Sequence, residues 1–239
     1  MPKSKRAKIV HLTRVQKKDK DNKAALFTAV REAADQYAHI FLFAVEHMRN
    51  TYLKDVRTHF SDSRMFFGKT KVMSKALGQS EQEEYAPGLA KLAKMVEGNV
   101  GLLFTDRSAQ DVTAYFAGYS EMDFARAGVT AIKDVVVPAG VVYSRAGEVA
   151  IEDDVPVGHS LEVTLRKWGM PTRLDKGKVV LDADHEICRQ GQVLNSHQTA
   201  MLKLFGIVMA EFKVQIRAYW DKESQDVTVV EVDGAMDED

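Results

Sequence analysis

The chain has 239 residues, of which 45% are hydrophobic and 28% are charged, and this composition excludes an intrinsically disordered protein. Its longest hydrophobic run, residues 40–45, is far shorter than the roughly 20 residues that span a bilayer. No hydrophobic stretch of a secretory signal follows the charged start, and the single cysteine, Cys188, excludes an intrachain disulfide. We therefore expect a globular protein of a reducing compartment that does not associate with membranes.

The charges are distributed unevenly along the chain. Residues 1–80 contain 17 Lys and Arg but 7 Asp and Glu, a net charge of +10, whereas residues 81–239 contain 16 and 27, a net charge of −11. This asymmetry favours a polyanionic partner for the N-terminal part. Nucleic acid is favoured over a membrane surface, because no basic amphipathic helix with aromatic anchors accompanies the charge. A surface that only keeps the protein in solution is the alternative.

The first half of the chain alternates between helical and strand-like patterns. Residues 1–20 are basic and poor in hydrophobic residues, which predicts an extended arm that serves as a nuclear import signal, a phosphate-binding tail or both. The patterns that follow predict a helix from Asp21, a buried strand over 39–45, a helix from about Asn50, a strand over 65–67, a basic helix to Leu77, a helix from Pro87, a strand over 100–104 and a helix that Ser108 and Asp111 cap. This alternation predicts an α/β layer.

The second half has a different texture. Residues 131–205 contain three of the five prolines, and short β-rich pieces lie there between glycine turns, which predicts a second, mostly β domain. Asn195 or Ser196 is expected to cap a short helix. Residues 212–218 alternate as a strand that could return to the first sheet. The predicted domains are an arm (1–20), an α/β domain (21–130 with 207–220), an insertion (131–206) and an acidic tail (221–239) in which 227–232 is a possible strand.

The turn at Gly68 is the most informative local motif. Residues 66–70 are similar to the end of a phosphate-binding P-loop, but Ser63 stands where that motif requires its first glycine, which excludes a nucleotide cradle. We expect instead that Gly68 permits a tight turn and that Lys69, Lys71 and Lys75 hold RNA phosphates near a helix N-terminus. An ordinary turn with solvated lysines is the alternative.

Catalytic and metal-binding patterns are not found in the sequence. His185 and Cys188 provide only two potential ligands, so we expect a surface histidine and a buried cysteine. His159 beside Ser160 lacks the elbow motif of a nucleophile, and Ser160 is expected to cap a helix instead. We predict no enzymatic activity, no catalytic residues, no metal site and no cofactor.

Several longer strings occur in one consistent order along nearly the whole chain. They are residues 2–6, 67–72, 101–106, 142–145 with 153–156, and 204–207 with 211–214. Together they resemble the mRNA turnover protein four family, which comprises ribosome assembly factors related to the ribosomal stalk-base protein. The resemblance implies an α/β RNA-binding domain like that of the stalk-base protein, interrupted by the inserted domain.

The resemblance also implies partners and a site. The expected partners are large-subunit rRNA at the future stalk base, the pre-60S particle and the neighbouring stalk-base ribosomal protein, in the nucleus and nucleolus, with shuttling to the cytoplasm left open. The family's RNA-binding positions correspond to Lys23, Lys69 and Lys71, next to Gly68. Charge and position add four further residues, namely Arg6, Lys8, Arg49 and Lys75.

A difference from the ribosomal relative predicts the role. Only 19 residues, many of them acidic, follow Trp220, whereas the stalk-base protein has a long helical extension that recruits acidic stalk dimers. We therefore expect a placeholder that recruits no stalk dimers and that the stalk-base protein replaces after a release factor of the dual-specificity phosphatase type acts. Two alternatives are a structural protein of the mature large subunit and an enzyme built on an α/β core.

Overall fold

The computed structural model describes residues 20–230, and their contacts divide the chain into two compact units. The first unit includes residues 20–44, 60–112 and 216–230, and the second includes 45–59 and 113–215. The elements in chain order are α1 (Lys20–Gln36), β1 (His39–Glu46), α2 (Asn50–His59), β2 (Arg64–Phe66), α3 (Thr70–Leu77), α4 (Leu89–Lys94), β3 (Val100–Thr105), α5 (Ala109–Gly118), β4 (Ser120–Asp123), β5 (Val135–Val137), β6 (Gly140–Val141), α6 (Glu162–Lys167), β7 (Thr172–Asp175), β8 (Lys178–Leu181), β9 (His185–Cys188), α7 (Ser196–Leu204), β10 (Ala210–Asp221) and β11 (Asp226–Val229). Among residues 20–230, no helix is long and apolar enough to cross a bilayer.

The largest sheet has the strand order β11-β10-β1-β3-β2, and β4 also pairs with β10. Strand β3 runs antiparallel to both of its neighbours, β1 and β2. The alternating pattern at 212–218 is confirmed as part of β10, which lies inside this sheet between β1 and β11. The possible strand in the tail is confirmed as β11, which forms a hairpin with β10.

The hydrophobic core of the first unit explains why β1 is apolar at almost every position. Alternate residues of β1, such as Ile40 and Leu42, pack in a core that also contains Val30 of α1, Met73 of α3 and Leu92 of α4. The residues between them, including Phe41 and Phe43, are fully buried as well. A strand buried on both faces needs a continuous hydrophobic run, which agrees with the sequence prediction.

One glycine allows the strands of this sheet to approach each other closely. Gly101 of β3 lies opposite Phe43 of β1. A Cβ atom at position 101 would lie 2.3 Å from Cζ of Phe43 and 2.8 Å from the carbonyl oxygen of Phe66. The second of these contacts is with backbone, which cannot move away as a flexible side chain can, so this strand requires glycine at its second position.

The second unit contains the inserted region with its own core. Strands β5 and β9 form a two-stranded sheet, and β6, β8 and β7 form a three-stranded sheet. The core includes Leu165, Val179, Ile187 and Met201. The predicted cap of α7 is confirmed, because the Asn195 side chain accepts hydrogen bonds from two helix amides and a capping box is complete.

Three details of this region differ from the sequence predictions. Helix α6 was not predicted, because its six residues are too few to show a helical period. The prediction that Ser160 caps a helix is wrong, since Gly158 precedes the short 3₁₀ turn that contains Ser160. His185 is half-buried, and burial lowers its pKa, whereas Cys188 is buried as predicted and burial raises its pKa.

Candidate nucleic-acid interface

The turn between β2 and α3 presents the start of a helix. Lys69 is the N-cap residue of α3 and has an extended backbone (φ −68°, ψ 115°). Its carbonyl oxygen accepts hydrogen bonds from the amides of Val72 (2.9 Å) and Met73 (3.1 Å). The Lys69 side chain carries only donors, and it makes no capping hydrogen bond. The positive end of the helix dipole is therefore available to an anion.

Close packing fixes this turn against helix α1. A Cβ atom at Gly68 would lie 2.8 Å from Cδ2 of Leu26, so the backbone of the turn approaches α1 more closely than a larger residue would permit without movement. Lys23 precedes Leu26 by three residues and therefore lies on the same side of α1. The sequence folds so that Lys23 and the turn that carries Lys69 and Lys71 belong to one local surface.

Arg31 joins α1 to α3 and keeps their relative position. Its Nε donates a hydrogen bond to the carbonyl oxygen of Ala76 at 3.1 Å. Its guanidinium also lies over the rings of Phe27, at 4.4 Å, and Tyr85, at 4.7 Å. This arginine is a structural cation, and it was not predicted from the sequence because Ala76 is 45 positions away and leaves no local signal.

The exposed lysines occupy the outer side of α3. Lys71 and Lys75 are four residues apart and lie on one face, while Met73, Ala76 and Leu77 are buried. Lys23 and Lys69 are exposed too. Within residues 20–230, none of these four lysines forms an ion pair with an acidic side chain. We call Lys23, Lys69, Lys71 and Lys75 the lysine surface.

An open groove lies beside the lysine surface, between α3 and the end of α4. Its volume is about 850 Å³. Its lining includes four charged residues, Lys71, Lys75, Lys94 and Glu97. Ser74, which also lines it, is buried and donates a hydrogen bond from Oγ to the carbonyl oxygen of Ala93 at 2.8 Å, and Nε2 of Gln79 donates to the same Oγ at 3.1 Å. We call this feature the α3–α4 groove.

The remaining predicted positions are not part of this assembly. Arg49 belongs to the second unit, where its Nε lies 2.7 Å from a carboxylate oxygen of Asp123 and its Nη2 donates to the carbonyl oxygen of Phe124. Its charge is thus compensated within the protein. Arg6 and Lys8 lie outside the described residues. A role for these three residues in RNA binding stays a prediction.

The architecture is that of an α/β domain with a basic surface and an inserted second core, as in ribosomal proteins of the stalk base. Residues 18–121 match the family model of ribosomal protein L10, and residues 125–207 match the model of the insertion domain in the corresponding 60S ribosomal protein. This confirms the predicted fold class.

Relatives identify the family. The chain is 48% identical to the ribosome assembly factor mrt4 of Neurospora crassa, over 98% of this chain and 95% of that protein. It is 47% identical to the ribosome assembly factor mrt4 of Schizosaccharomyces pombe, over 100% and 99%. The large ribosomal subunit protein uL10x of Arabidopsis thaliana is 25% identical over 85% of this chain and 59% of that protein. The chain therefore belongs to the Mrt4 family of ribosome assembly factors, which confirms the resemblance and is not a known class of enzymes.

Proposed function

We propose that this protein acts in ribosome assembly by binding large-subunit rRNA at the future stalk base through the lysine surface. The observation that carries the proposal is the grouping of Lys23, Lys69, Lys71 and Lys75, all exposed and without ion pairs among residues 20–230. Cations that have no partner in the protein are available to phosphates. Each phosphate that is neutralised releases condensed counterions, which is the main source of affinity in such complexes.

The local geometry supports a phosphate-binding role. An ammonium group offers three donors in adjustable directions, and the start of α3 adds backbone amides and the positive end of a dipole. The packing of Gly68 on Leu26 and the Arg31 bonds keep α1 and α3 in place. The lysine surface is therefore preorganised, and binding requires the ordering of lysine side chains but not of the backbone.

The relatives support the assembly phase as the time of binding. Identity to the two assembly factors is 48% and 47%, against 25% to uL10x. A shared fold with uL10x supports a shared RNA site, so we infer that the ribosomal stalk-base protein later replaces this protein. We place the exchange on the pre-60S particle, beside the neighbouring stalk-base ribosomal protein, with the nucleus and nucleolus as the compartment and a release factor of the dual-specificity phosphatase type as the trigger.

Charge reversal tests the lysine surface. We expect the double substitution Lys69→Glu and Lys71→Glu to weaken binding to a stalk-base rRNA fragment by roughly 100-fold, because charged hydrogen bonds contribute about 1.5–3 kcal/mol each. The slope of log affinity against log salt should flatten by roughly 0.7–0.9 per lost phosphate contact.

The matched control reverses two lysines with the same spacing in the second unit. Lys176 and Lys178 are exposed residues of the β7–β8 hairpin, and Lys176→Glu with Lys178→Glu makes the same change in net charge. We expect this control to keep most of the affinity and the salt slope. Equal losses in the two double variants would show that only net charge matters, and no loss in either would refute the lysine surface as the RNA site.

Two measurements test the timing. After sedimentation of cell extract, the protein should occur with nuclear pre-60S particles and not with polysomes, and its presence on polysomes would support a structural protein of the mature subunit instead. Titration of the ribosomal stalk-base protein into a complex of this protein with the rRNA fragment should displace it in proportion to relative affinity and concentration. A stable ternary complex on one fragment would contradict replacement.

A further inference from the structure

We infer that the α3–α4 groove continues the lysine surface and holds a further stretch of the RNA backbone, with Lys94 as a phosphate-binding residue. The inference rests on the proposed function, because Lys71 and Lys75 belong both to the lysine surface and to the lining of the groove. A strand of RNA that contacts these two lysines meets the groove directly on their other side.

Hydrogen bonds define where Lys94 stands. Ser74 lies on α3 between Lys71 and Lys75, and its Oγ donates to the carbonyl oxygen of Ala93 at 2.8 Å. Lys94 is the next residue after Ala93 and the last residue of α4. The Ser74 bond therefore holds the end of α4 against the middle of α3, and it places Lys94 across the groove from the two lysines of α3.

The charges of the groove favour an anion. Three ammonium groups, those of Lys71, Lys75 and Lys94, face one carboxylate, that of Glu97, along its lining. In residues 20–230, Lys94 takes part in no ion pair, whereas Lys91, three residues earlier on the same helix, lies 2.8 Å from a carboxylate oxygen of Asp226. The two lysines of α4 thus differ in whether their charge is already compensated.

The polar groups of the groove suit an RNA backbone. The amide of Gln79 uses one donor for Ser74, at 3.1 Å, and its side chain is exposed at the edge of the groove. An amide has two donors and an acceptor, so Gln79 keeps groups that can bond a ribose 2′-hydroxyl, the feature that distinguishes RNA from DNA. The groove is open along its length, which fits an extended chain better than an enclosed small ligand.

The pair Lys94→Ala and Lys91→Ala tests this inference on the full-length protein with the stalk-base rRNA fragment. Both changes remove one exposed ammonium from α4. We expect Lys94→Ala to weaken binding roughly 3- to 10-fold and to flatten the salt slope by roughly 0.7–0.9, the value for one phosphate contact. Lys91→Ala should change the affinity less than about twofold, because that charge is compensated by Asp226.

A third variant works in the opposite direction. Glu97→Gln removes the single carboxylate of the groove lining and keeps the shape of the side chain, so binding should become tighter. Thermal unfolding of each variant checks that the fold is intact, since all three positions are exposed.

The outcomes separate this inference from the proposed function. If the double reversal at Lys69 and Lys71 weakens binding but Lys94→Ala and Lys91→Ala behave alike, the groove does not bind RNA and the lysine surface still does. If that double reversal has no effect either, the proposed function itself is wrong. Tighter binding by Glu97→Gln together with a selective loss in Lys94→Ala supports the groove.

Discussion

Asp154 shows how a single carboxylate organises part of the inserted region. The sequence around the Asp153–Asp154 pair offers no apolar setting that would give it a catalytic role. In the structure, Asp154 accepts hydrogen bonds from Oγ of Ser144 at 2.6 Å and from the amides of Arg145 at 2.9 Å and Val155 at 2.7 Å. Burial alone raises the pKa of this carboxyl, but the hydrogen bonds outweigh it and hold the pKa of Asp154 below its ordinary value.

The lowered pKa predicts an acid-sensitive contribution to stability. The ionised form of Asp154 stabilises the fold above the ordinary aspartate pKa, and this contribution is lost as the pH falls through the lower pKa of the folded state. We expect Asp154→Asn to increase hydrogen exchange of the inserted region at pH 7, and to make exchange protection less dependent on pH between about 5 and 3.

The neighbouring substitution is the control. Asp153 is exposed, so Asp153→Asn should leave both the protection and its pH dependence as in the unchanged protein. If the protection of the Asp154→Asn protein falls with acid as steeply as that of the unchanged protein, the carboxylate of Asp154 does not carry the effect.

Residues with local signals could be predicted, and those with distant partners could not. The Gly68 turn and its lysines are readable because glycine, lysine spacing and the following helix lie within ten residues. Lys94 was missed because its significance depends on the bond between Ser74 and Ala93, which are 19 positions apart. The same reason hid the ion pair that compensates Arg49, whose partner Asp123 comes 74 positions later.

At the scale of elements, α4 depends on a cap that differs from the predicted one. The prediction began this helix at Pro87, but the structure places the N-cap at Gly88, in a left-handed conformation (φ 84°). The carboxylate of Glu84 accepts hydrogen bonds from the amides of Gly88 at 3.1 Å and Ala90 at 3.3 Å. A helix of six residues has little stability by itself, so caps and packing maintain it.

Removal of this cap should loosen α4. We expect Glu84→Ala to destabilise the start of the helix by about 1 kcal/mol, the usual effect of losing a side-chain cap. Hydrogen exchange of the amides in α4 should become faster. Glu83→Ala is the control, because that side chain is exposed and makes no capping bond among the described residues. Equal exchange rates in the two variants would show that packing alone holds α4.

The existence of the strands was easier to predict than their arrangement. Hydrophobic runs and alternation located β1 and β3 within one or two residues of their observed ends, and β10 extends two or three residues beyond the predicted 212–218 at each end. The order β11-β10-β1-β3-β2 depends on pairing between segments more than 100 residues apart, which no local pattern encodes. The Trp220 side chain contributes to that order, because its indole donates a hydrogen bond to the carbonyl oxygen of Pro87 at 3.0 Å.

At the scale of the whole molecule, the uneven charge of the sequence acquires a structural meaning. The lysine surface and the α3–α4 groove both belong to the first unit, whereas the core of the inserted region belongs to the second. The proposed RNA site therefore needs no residue of the insertion. The domain boundaries predicted from the sequence, 131 and 206, stay a prediction, and a deletion experiment can refine them.

The hydrogen bonds at the base of the insertion indicate where it can be removed. Asp123 of β4 lies opposite Ala210 of β10, and the carbonyl oxygen of Asp123 accepts a hydrogen bond from the amide of Met209 at 3.1 Å. The ends of the intervening chain are thus neighbours in one antiparallel pair. Ala125, Ile207 and Met209 belong to the core of the insertion, so a deletion should remove them with it.

We predict that replacement of residues 124–209 by an Asn-Gly turn preserves RNA binding. Two-residue turns of this type join adjacent antiparallel strands, so β4 and β10 can form a hairpin without strain. The affinity for the stalk-base rRNA fragment should stay within about twofold and the salt slope should not change, because no phosphate contact is lost. Replacement of residues 131–206 is the comparison, and it should unfold at lower urea concentration because it exposes Ala125, Ile207 and Met209 to water. A large loss of affinity in a 124–209 variant that still unfolds cooperatively would show that the insertion itself contacts the RNA.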